Sequence, residues 1–471
     1  MPEETLKNLK ETNERGKVKM RKMFKNKSGI TLIALVVTIV VLLILAGVSI
    51  SLLLDENGII KKSKDARREY GQAKANEQED LSNLSDMIDE ATAEPTPKVN
   101  VNTKAGDNST INGKKGNSNN PTIPKNYIPI DTATSTWGDG STAPSQDSVN
   151  HGLVIKGDSD DNEWVWIPVP DVTVMCDTAN ETEYTLCGTS GETAVKTKLY
   201  SSTITIGKDS NTKTITRTTP GTTSGGREPD LVVSGGTSYD ATNYKTILGE
   251  NGTKEELAQL FVDEYKEMIE SIRKYGGFYI GRYELSEAGV QKNQPTLVET
   301  NWYNLYNACK DTKLQASEKV ETRMIWGCQW DVTCNFIANK GDKKDIADSR
   351  TWGNYNDSEG DAKVIVTENG TETKKYGSKQ NTGYSEYWKA NNIYDLAGNC
   401  YEWTQEALSV NGRAVRGGNY GSGGSGAPAS LRGSYSYCPD FGSSNRFSSH
   451  FNNKVALNSR AWASEWRTII K

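Results

Sequence analysis

Two carboxylates and a glycine turn lie close together in residues 391–403, which read NNIYDLAGNCYEW. The acidic residues are Asp395 and Glu402, and aromatic residues stand beside both. Carboxylates in such a setting serve as general acids or bases, bind a hard cation such as Ca²⁺, or form ion pairs within a fold. This segment is therefore interpreted as an active site, a metal site or a structural part of the core.

Cysteine and histidine, which carry much of the nucleophilic, redox and proton-transfer chemistry of proteins, are scattered along the chain. The seven cysteines, which include no CxxC pair and no zinc-ligand spacing, are Cys176, Cys187, Cys309, Cys328, Cys334, Cys400 and Cys438. His151 and His450 are the two histidines, and the sequence has no Ser/His/Asp-like or paired-carboxylate arrangement. General acid–base catalysis therefore has few candidates, and zinc is not expected.

Length and charge exclude some classes of protein. With 471 residues the chain is long enough for two or three domains of roughly 150 residues each. Only 35% of the residues are hydrophobic, which predicts a large share of loop or linker. The formal net charge is −5 and the basic residues concentrate near the N-terminus, so a nucleic-acid partner is not expected.

The elements that must position the acidic residues are short. Alternating residue types predict a strand at 163–168, and a capping box at Thr253 begins a helix that runs to about Lys274. Residues 176–250 are predicted as hairpins and long loops, and residues 341–381 as a polar insertion. The pattern predicts an α+β domain with much irregular structure.

The N-terminal region predicts a membrane anchor. Residues 30–54 contain no charge over 25 positions, enough to cross a hydrocarbon core of roughly 30 Å. Residues 1–29 carry nine Lys or Arg against four Glu, which predicts a cytoplasmic N-terminus and an extracellular head on a single-pass cell-membrane protein. A cleavable secretory signal is the alternative, but its apolar core is usually only about 7–15 residues long.

The junction between these two segments, KNKSG followed by ITLIALVV, resembles the leader of type IV prepilins. The resemblance implies a prepilin peptidase as partner and cleavage between Gly29 and Ile30. Pilins usually carry Glu five residues after the cut, where this chain has Ala34. That departure argues against assembly into a long filament. Residues 55–91 are predicted as a helical stalk, 92–150 as a polar linker and 151–471 as the head.

Four pieces of the head, taken in order, resemble one family. They are EWVWIPV, FYIGRYELS, NNIYDLAGNCYEW with RAVRGGNY close behind, and the terminal pair Trp466-Arg467. Together they resemble the formylglycine-generating enzyme or sulfatase-modifying factor domain, over about residues 152–471. The resemblance implies a variant of the C-type lectin fold. The end of the chain departs from the family, because EWR stands where its members have GFR.

The resemblance also suggests a structural Ca²⁺ in the first segment. The matching ligands are the carboxylates of Asp395 and Glu402 and the backbone carbonyls of Gly398 and Cys400, a donor set that suits Ca²⁺. In the alternative interpretation Asp395 caps a turn, Glu402 forms a salt bridge and the neighbouring aromatic residues belong to the core.

Catalysis is not expected of this chain. Oxidative members of the family use two redox-active cysteines shortly after the RGG turn, and the matching places here are at about Ser422 and Ala427. A hydroxyl or a methyl group cannot replace a thiolate in copper ligation or redox chemistry. Related non-oxidative enzymes need a triad of iron-binding histidines, which two histidines cannot supply.

The last part of the head has an unusual alphabet. Residues 419–461 contain no Glu, Gln, Met, Trp, Ile or Thr and are rich in Gly, Ser, Asn and aromatic residues. This composition resembles antibody paratopes and the segments rewritten by diversity-generating retroelements. The predicted ligand-binding residues are Asn419, Tyr420, Tyr435, Tyr437, Phe441, Asn445, Phe447, His450 and Phe451. The bland alternative is a fixed Gly/Ser-rich loop with its aromatic residues in the core.

These observations predict a non-catalytic, membrane-anchored surface protein that binds an unidentified extracellular protein or glycan. The alternatives are a minor pilin or pseudopilin of a pilus or secretion machine, and an oxidoreductase of the formylglycine-generating type in which another cysteine has taken over the chemistry.

Overall fold

The computed structural model describes residues 96–130, 146–177, 181–187, 195–200, 202–208, 211–217, 245–298, 302–310, 320–363, 378–409, 412–436 and 461–465, together with Ile39 and Val41. The chain divides into two units, Met1–Ala91 and Thr92–Lys471. All elements given below belong to the second unit.

The elements of the described residues are mostly short. The helices are α1 (Gln146–Asn150), α2 (Lys245–Leu248), α3 (Lys254–Tyr275), α4 (Trp302–Lys310) and α5 (Gly327–Asn339). The strands are β1 (Ser109–Thr110), β2 (Thr122–Ile123), β3 (Tyr127–Pro129), β4 (Val154–Gly157), β5 (Glu163–Pro168), β6 (Glu181–Cys187), β7 (Val195–Tyr200), β8 (Ser202–Lys208), β9 (Asn211–Arg217), β10 (Gly277–Gly281), β11 (Val320–Met324), β12 (Lys389–Ala390), β13 (Ile393–Tyr394), β14 (Glu402–Ser409), β15 (Gly412–Arg416), β16 (Gly433–Ser436) and β17 (Ala461–Glu465).

A six-stranded antiparallel sheet is the largest element of the second unit, with the order β11-β17-β10-β5-β4-β3. The predicted strand at 163–168 is confirmed as β5, but its alternating residue types do not divide into an exposed face and a buried face. Residues 164–167 are all buried, because β5 lies inside the sheet and is covered on both faces. With several two- and three-stranded sheets and few helices, the described residues form a mixed α and β structure, as predicted.

Helix α3 begins and ends as its sequence predicts. The Thr253 hydroxyl accepts from the Glu256 N–H, and the Glu256 carboxylate accepts from the Thr253 N–H, so the capping box is formed. Gly276 ends the helix at φ +76°. The helix buries one face, which includes Phe261 and Met268.

The hairpins predicted within 176–250 include β8–β9, which packs against α5. Ile204, Ile206 and Ile215 are its buried residues. The Asn339 amide at the end of α5 donates to the Gly207 carbonyl at 3.4 Å. This hairpin therefore covers the helix that supports the candidate site described below.

Part of the predicted polar linker is built into the sheet instead. In residues 96–130 strand β3 pairs with β4, and Ile123 and Tyr127 are fully buried. The few apolar residues here are isolated in polar sequence, so no periodicity reveals them. A spacer without regular structure is therefore wrong for 96–130.

The predicted localisation at a membrane is contradicted. Within the described ranges, no helix is both long enough and apolar enough to cross a bilayer. Except for Ile39 and Val41, the predicted span at 30–54 lies outside these ranges, as do the predicted cleavage residues Gly29 and Ile30 and the stalk.

Candidate functional site

Residues 391–403 are all buried and form part of the core. Left-handed backbone conformations occur at Asn391, Asn392, Asp395, Gly398 and Asn399, with φ between +44° and +79°. Asn, Asp and Gly are the residue types that adopt this conformation at least cost. A Cβ on Gly398 would lie 2.2 Å from the Asn354 carbonyl oxygen, so this turn also requires glycine for close approach.

Two asparagines anchor the start of the segment. The Asn392 amide donates to the Gly152 carbonyl at 2.9 Å, and the Asn391 amide donates to the Lys340 carbonyl at 3.2 Å. The Asn391 amide oxygen also accepts from the Asp342 N–H. Two distant parts of the chain, near residue 152 and at residues 340–342, are therefore joined to this turn by side-chain amides.

Asp395 caps a neighbouring turn. Its Oδ2 accepts from the Thr382 hydroxyl at 3.0 Å and from the Gly383 N–H at 2.7 Å. These contacts agree with the interpretation in which Asp395 caps a turn.

The donor set proposed for Ca²⁺ is buried as a whole. Asp395 and Cys400 lie in the core, and Glu402 begins β14 opposite Arg416. Burial raises the pKa of the Cys400 thiol well above its usual range, and the nearby Glu284 carboxylate raises it further. The residue types and their burial fit a hard cation. In the described part of the chain no group of three or more His, Cys, Asp or Glu side chains is placed to hold a metal, so Ca²⁺ with two carbonyl ligands stays a prediction.

Asn399 connects this segment to the loop that follows Gly418. Its amide nitrogen donates to Glu284 Oε2 at 2.6 Å and to the Gln380 carbonyl at 3.2 Å. Its amide oxygen accepts from the Asn354 amide and from the Gln380 N–H, both at 3.0 Å. Its backbone carbonyl accepts from the Tyr420 N–H at 3.0 Å. The buried side chain therefore holds Asn399 in place, and its backbone carbonyl holds the start of the loop.

The loop after Gly418 is held mainly through its main chain. The Asn356 amide donates to the Gly421 carbonyl at 3.0 Å, and the Asn356 N–H donates to the Ser422 carbonyl at 3.1 Å. Asp357 Oδ1 accepts from the Gly424 N–H at 2.7 Å. Because these three contacts use backbone atoms of the loop, they do not depend on which side chains it carries. The Asn419 side chain also supports the loop, since its Oδ1 accepts from the Gly421 N–H at 3.1 Å and from the Ser422 hydroxyl at 2.7 Å.

The second half of the loop faces the core. The Ala429 carbonyl accepts from the Trp330 indole N–H at 2.9 Å, and its N–H donates to the Ser349 hydroxyl at 3.1 Å. Residues 427–430 are all buried. A Cβ on Gly418 would lie 2.1 Å from the Ala427 carbonyl oxygen, at φ +74°. The chain therefore has no freedom to change at these positions.

The first half of the loop reaches the surface. Asn419, Tyr420 and Ser422 are half-buried, while Gly421 and Ser425 are exposed. A Cβ on Gly421 would meet nothing closer than 3.7 Å. Apart from the buried Gly424, the residues that reach the surface thus precede the buried run 427–430.

The two places that match the family's cysteines have no thiol chemistry. The Ser422 hydroxyl donates to Asn419 Oδ1 at 2.7 Å and lies 2.9 Å from the Tyr401 hydroxyl. Ala427 offers a buried methyl group. Cys334 is close to the same loop, but burial raises the pKa of its thiol to about 12, so it holds its proton.

Of the nine predicted ligand-binding residues, the structure describes two with their side chains, Asn419 and Tyr420, and places both in this loop. Tyr435 lies on β16. The other six, Tyr437, Phe441, Asn445, Phe447, His450 and Phe451, lie outside the described residues. The sequence missed Asn356 and Asp357, which belong to the predicted polar insertion and carry no local signal for their contact with the loop.

Comparisons with known proteins give little. No protein-family model matches the chain, and no curated protein matches it. Several solved chains match, among them Treponema denticola variable protein 1, which is 13% identical over 60% of this chain and 99% of that chain, with a TM-score of 0.23. A TM-score of this size does not establish a shared fold.

Proposed function

We propose that this protein is a non-catalytic ligand-binding protein whose recognition surface begins at Asn419. The surface continues through the segment up to residue 461, and the ligand is a protein or a glycan. The observation that carries the proposal is the construction of the loop at 419–430. Its path is held by backbone hydrogen bonds and a buried second half, while its first half presents amide, hydroxyl and phenol groups to solvent.

Side chains of these types suit recognition. Tyr supplies a large contact area at a low cost in conformational entropy, and Ser and Asn supply adaptable hydrogen bonds. A rigid base lowers the entropy lost on binding. Enzymatic redox chemistry has no support at the same place, because Ser422 and Ala427 replace the required cysteines.

We further propose a fold for the head and a source of variation for residues 419–461. The order of the four sequence pieces supports a C-type lectin fold of the formylglycine-generating type, with Ca²⁺ as a structural ion held by Asp395, Gly398, Cys400 and Glu402. The restricted alphabet of 419–461 supports diversification by a retroelement. Diversification requires a surface that accepts new side chains without loss of fold, which backbone-held residues provide.

A display library tests the binding role. Positions Asn419, Tyr420, Ser422 and Ser425 are randomised in the full chain, and the library is selected against one immobilised globular protein. The proposal predicts folded members that bind the target specifically. The matched control library randomises 427–430, where most members are expected to be unfolded. Folded members of the first library that never yield a binder would refute the binding role.

A further inference from the structure

A charge cluster lies between the base of the loop, helix α5 and the β8–β9 hairpin. We define it by Asp331, Glu406, Arg416, Arg432 and Lys213. Arg416 Nη2 forms an ion pair with Asp331 Oδ1, and both side chains are fully buried. Arg432 Nη2 lies 2.8 Å from Asp331 Oδ2 and 2.8 Å from Glu406 Oε1. The proposed ligand-binding role does not use these groups.

Arg416 has more donors than its surroundings accept. Its Nε and Nη1 groups are buried and have no hydrogen-bond partner. One face of the guanidinium lies over the Trp330 ring, at 5.9 Å from the ring centre. A buried N–H without an acceptor is costly, and such groups in proteins are nearly always satisfied.

The cluster also carries unbalanced charge. Arg416, Arg432 and Lys213 supply three positive charges, and Asp331 and Glu406 supply two negative ones. Desolvation by neighbouring groups, followed by the charges of Arg416 and Arg432, lowers the pKa of Lys213. Both carboxylates are already shared with Arg432, so neither is left to neutralise the third cation. Lys213 is exposed, so solvent screens part of this excess, and the remaining positive field of the cluster favours an anion over a neutral molecule.

We propose that the charge cluster binds a small monovalent anion of the chloride class, which accepts from Arg416 Nε or Nη1. One negative charge both satisfies a buried donor and balances the cluster. A small ion is favoured because Arg416 has no exposed surface to offer a larger ligand. Arg432, with 10% of its side chain exposed, and the exposed Lys213 give the ion its route from solvent.

Thermal unfolding of the full chain tests the site. Sodium chloride is exchanged for sodium gluconate at constant ionic strength, so that general screening does not change. Binding to the folded state predicts a melting temperature about 2–4 °C higher at saturating chloride. Lys213→Met is expected to raise the chloride concentration needed for half of this shift at least about fivefold, since one cation is lost. Lys125→Met removes a surface cation paired with Asp107 and is expected to leave the chloride response unchanged.

Anomalous diffraction from crystals grown with bromide locates the ion. The proposal expects a bromide peak within hydrogen-bond distance of the Arg416 guanidinium. A water molecule in that place, or equal melting temperatures in chloride and gluconate, would overturn it. A bromide peak without any shift in melting temperature would mark an adventitious ion and would overturn it as well.

Discussion

Replacing Asn399 by Asp tests whether the buried side chain of this residue supports the fold beneath the loop. The substitution preserves size and the two hydrogen bonds accepted by the side-chain oxygen. It removes the donation to Glu284 Oε2 at 2.6 Å and to the Gln380 carbonyl at 3.2 Å. A lost hydrogen bond costs roughly 0.5–1.5 kcal/mol, and one to a charged group roughly 1.5–3 kcal/mol. Repulsion between the two facing carboxylates adds to this, so we expect a loss of about 3–5 kcal/mol in unfolding free energy at pH 7.

The loss must depend on pH in a fixed direction. The facing Glu284 carboxylate raises the folded-state pKa of the introduced carboxyl above its unfolded value of about 3.9. The protonated form can donate one hydrogen bond to Glu284, while the bond to Gln380 stays lost. The deficit is therefore smaller below about pH 4 and grows as the pH rises through the folded-state pKa. Urea unfolding followed by tryptophan fluorescence at several pH values measures it. Asn119→Asp, at an exposed turn, is the control.

Equal stability of Asn399→Asp and the parent protein at pH 7 would show that the hydrogen bonds of Asn399 do not support the fold. A deficit that stayed constant with pH would show that Glu284 is not the partner that causes it.

Three further predictions follow from the same region. Gly418→Ala should lower the unfolding free energy by more than about 3 kcal/mol, because its Cβ would overlap the Ala427 carbonyl oxygen at positive φ. Gly421→Ala should change the unfolding free energy by less than about 1 kcal/mol, and comparison of the two urea midpoints tests both values. Burial alone would raise the pKa of Glu386, but hydrogen bonds from two lysines and Tyr394 lower this pKa to about 2. The stabilising effect of the Glu386 carboxylate is present above its unfolded pKa of about 4.3 and is lost as the pH falls towards 2. A titration midpoint of about 4.3 for Glu386 by NMR would contradict this prediction. Calcium added to chelator-stripped protein should release heat and raise the melting temperature, and Asp395→Ala should abolish both; no heat and no shift in the parent protein would remove the ion from the proposal.

Local signals in the sequence predicted local structure well. The capping box at Thr253 and the β8–β9 hairpin each depend on fewer than about 25 consecutive residues, and the structure contains both. The burial of Tyr394, Tyr401 and Trp403 was also foreseen in the interpretation that made them core.

Contacts between distant segments could not be predicted. Strand β17, near the end of the chain, pairs with both β10 and β11, and isolated apolar residues such as Ile123 enter the core from a polar stretch. Asn356 meets the loop across 65 residues, and a side-chain amide in a polar insertion gives no sign of its partner. Such pairings depend on the whole topology, which a single sequence does not display.

Closely related copies of the gene test the central claim most directly. A recognition surface built on a fixed base predicts substitutions at 419–422, at 425–426 and within 437–460, with none at 427–430 and none at 391–399. A reverse-transcriptase gene and a near-identical template repeat should lie nearby. Substitutions spread evenly over all these positions would contradict the account.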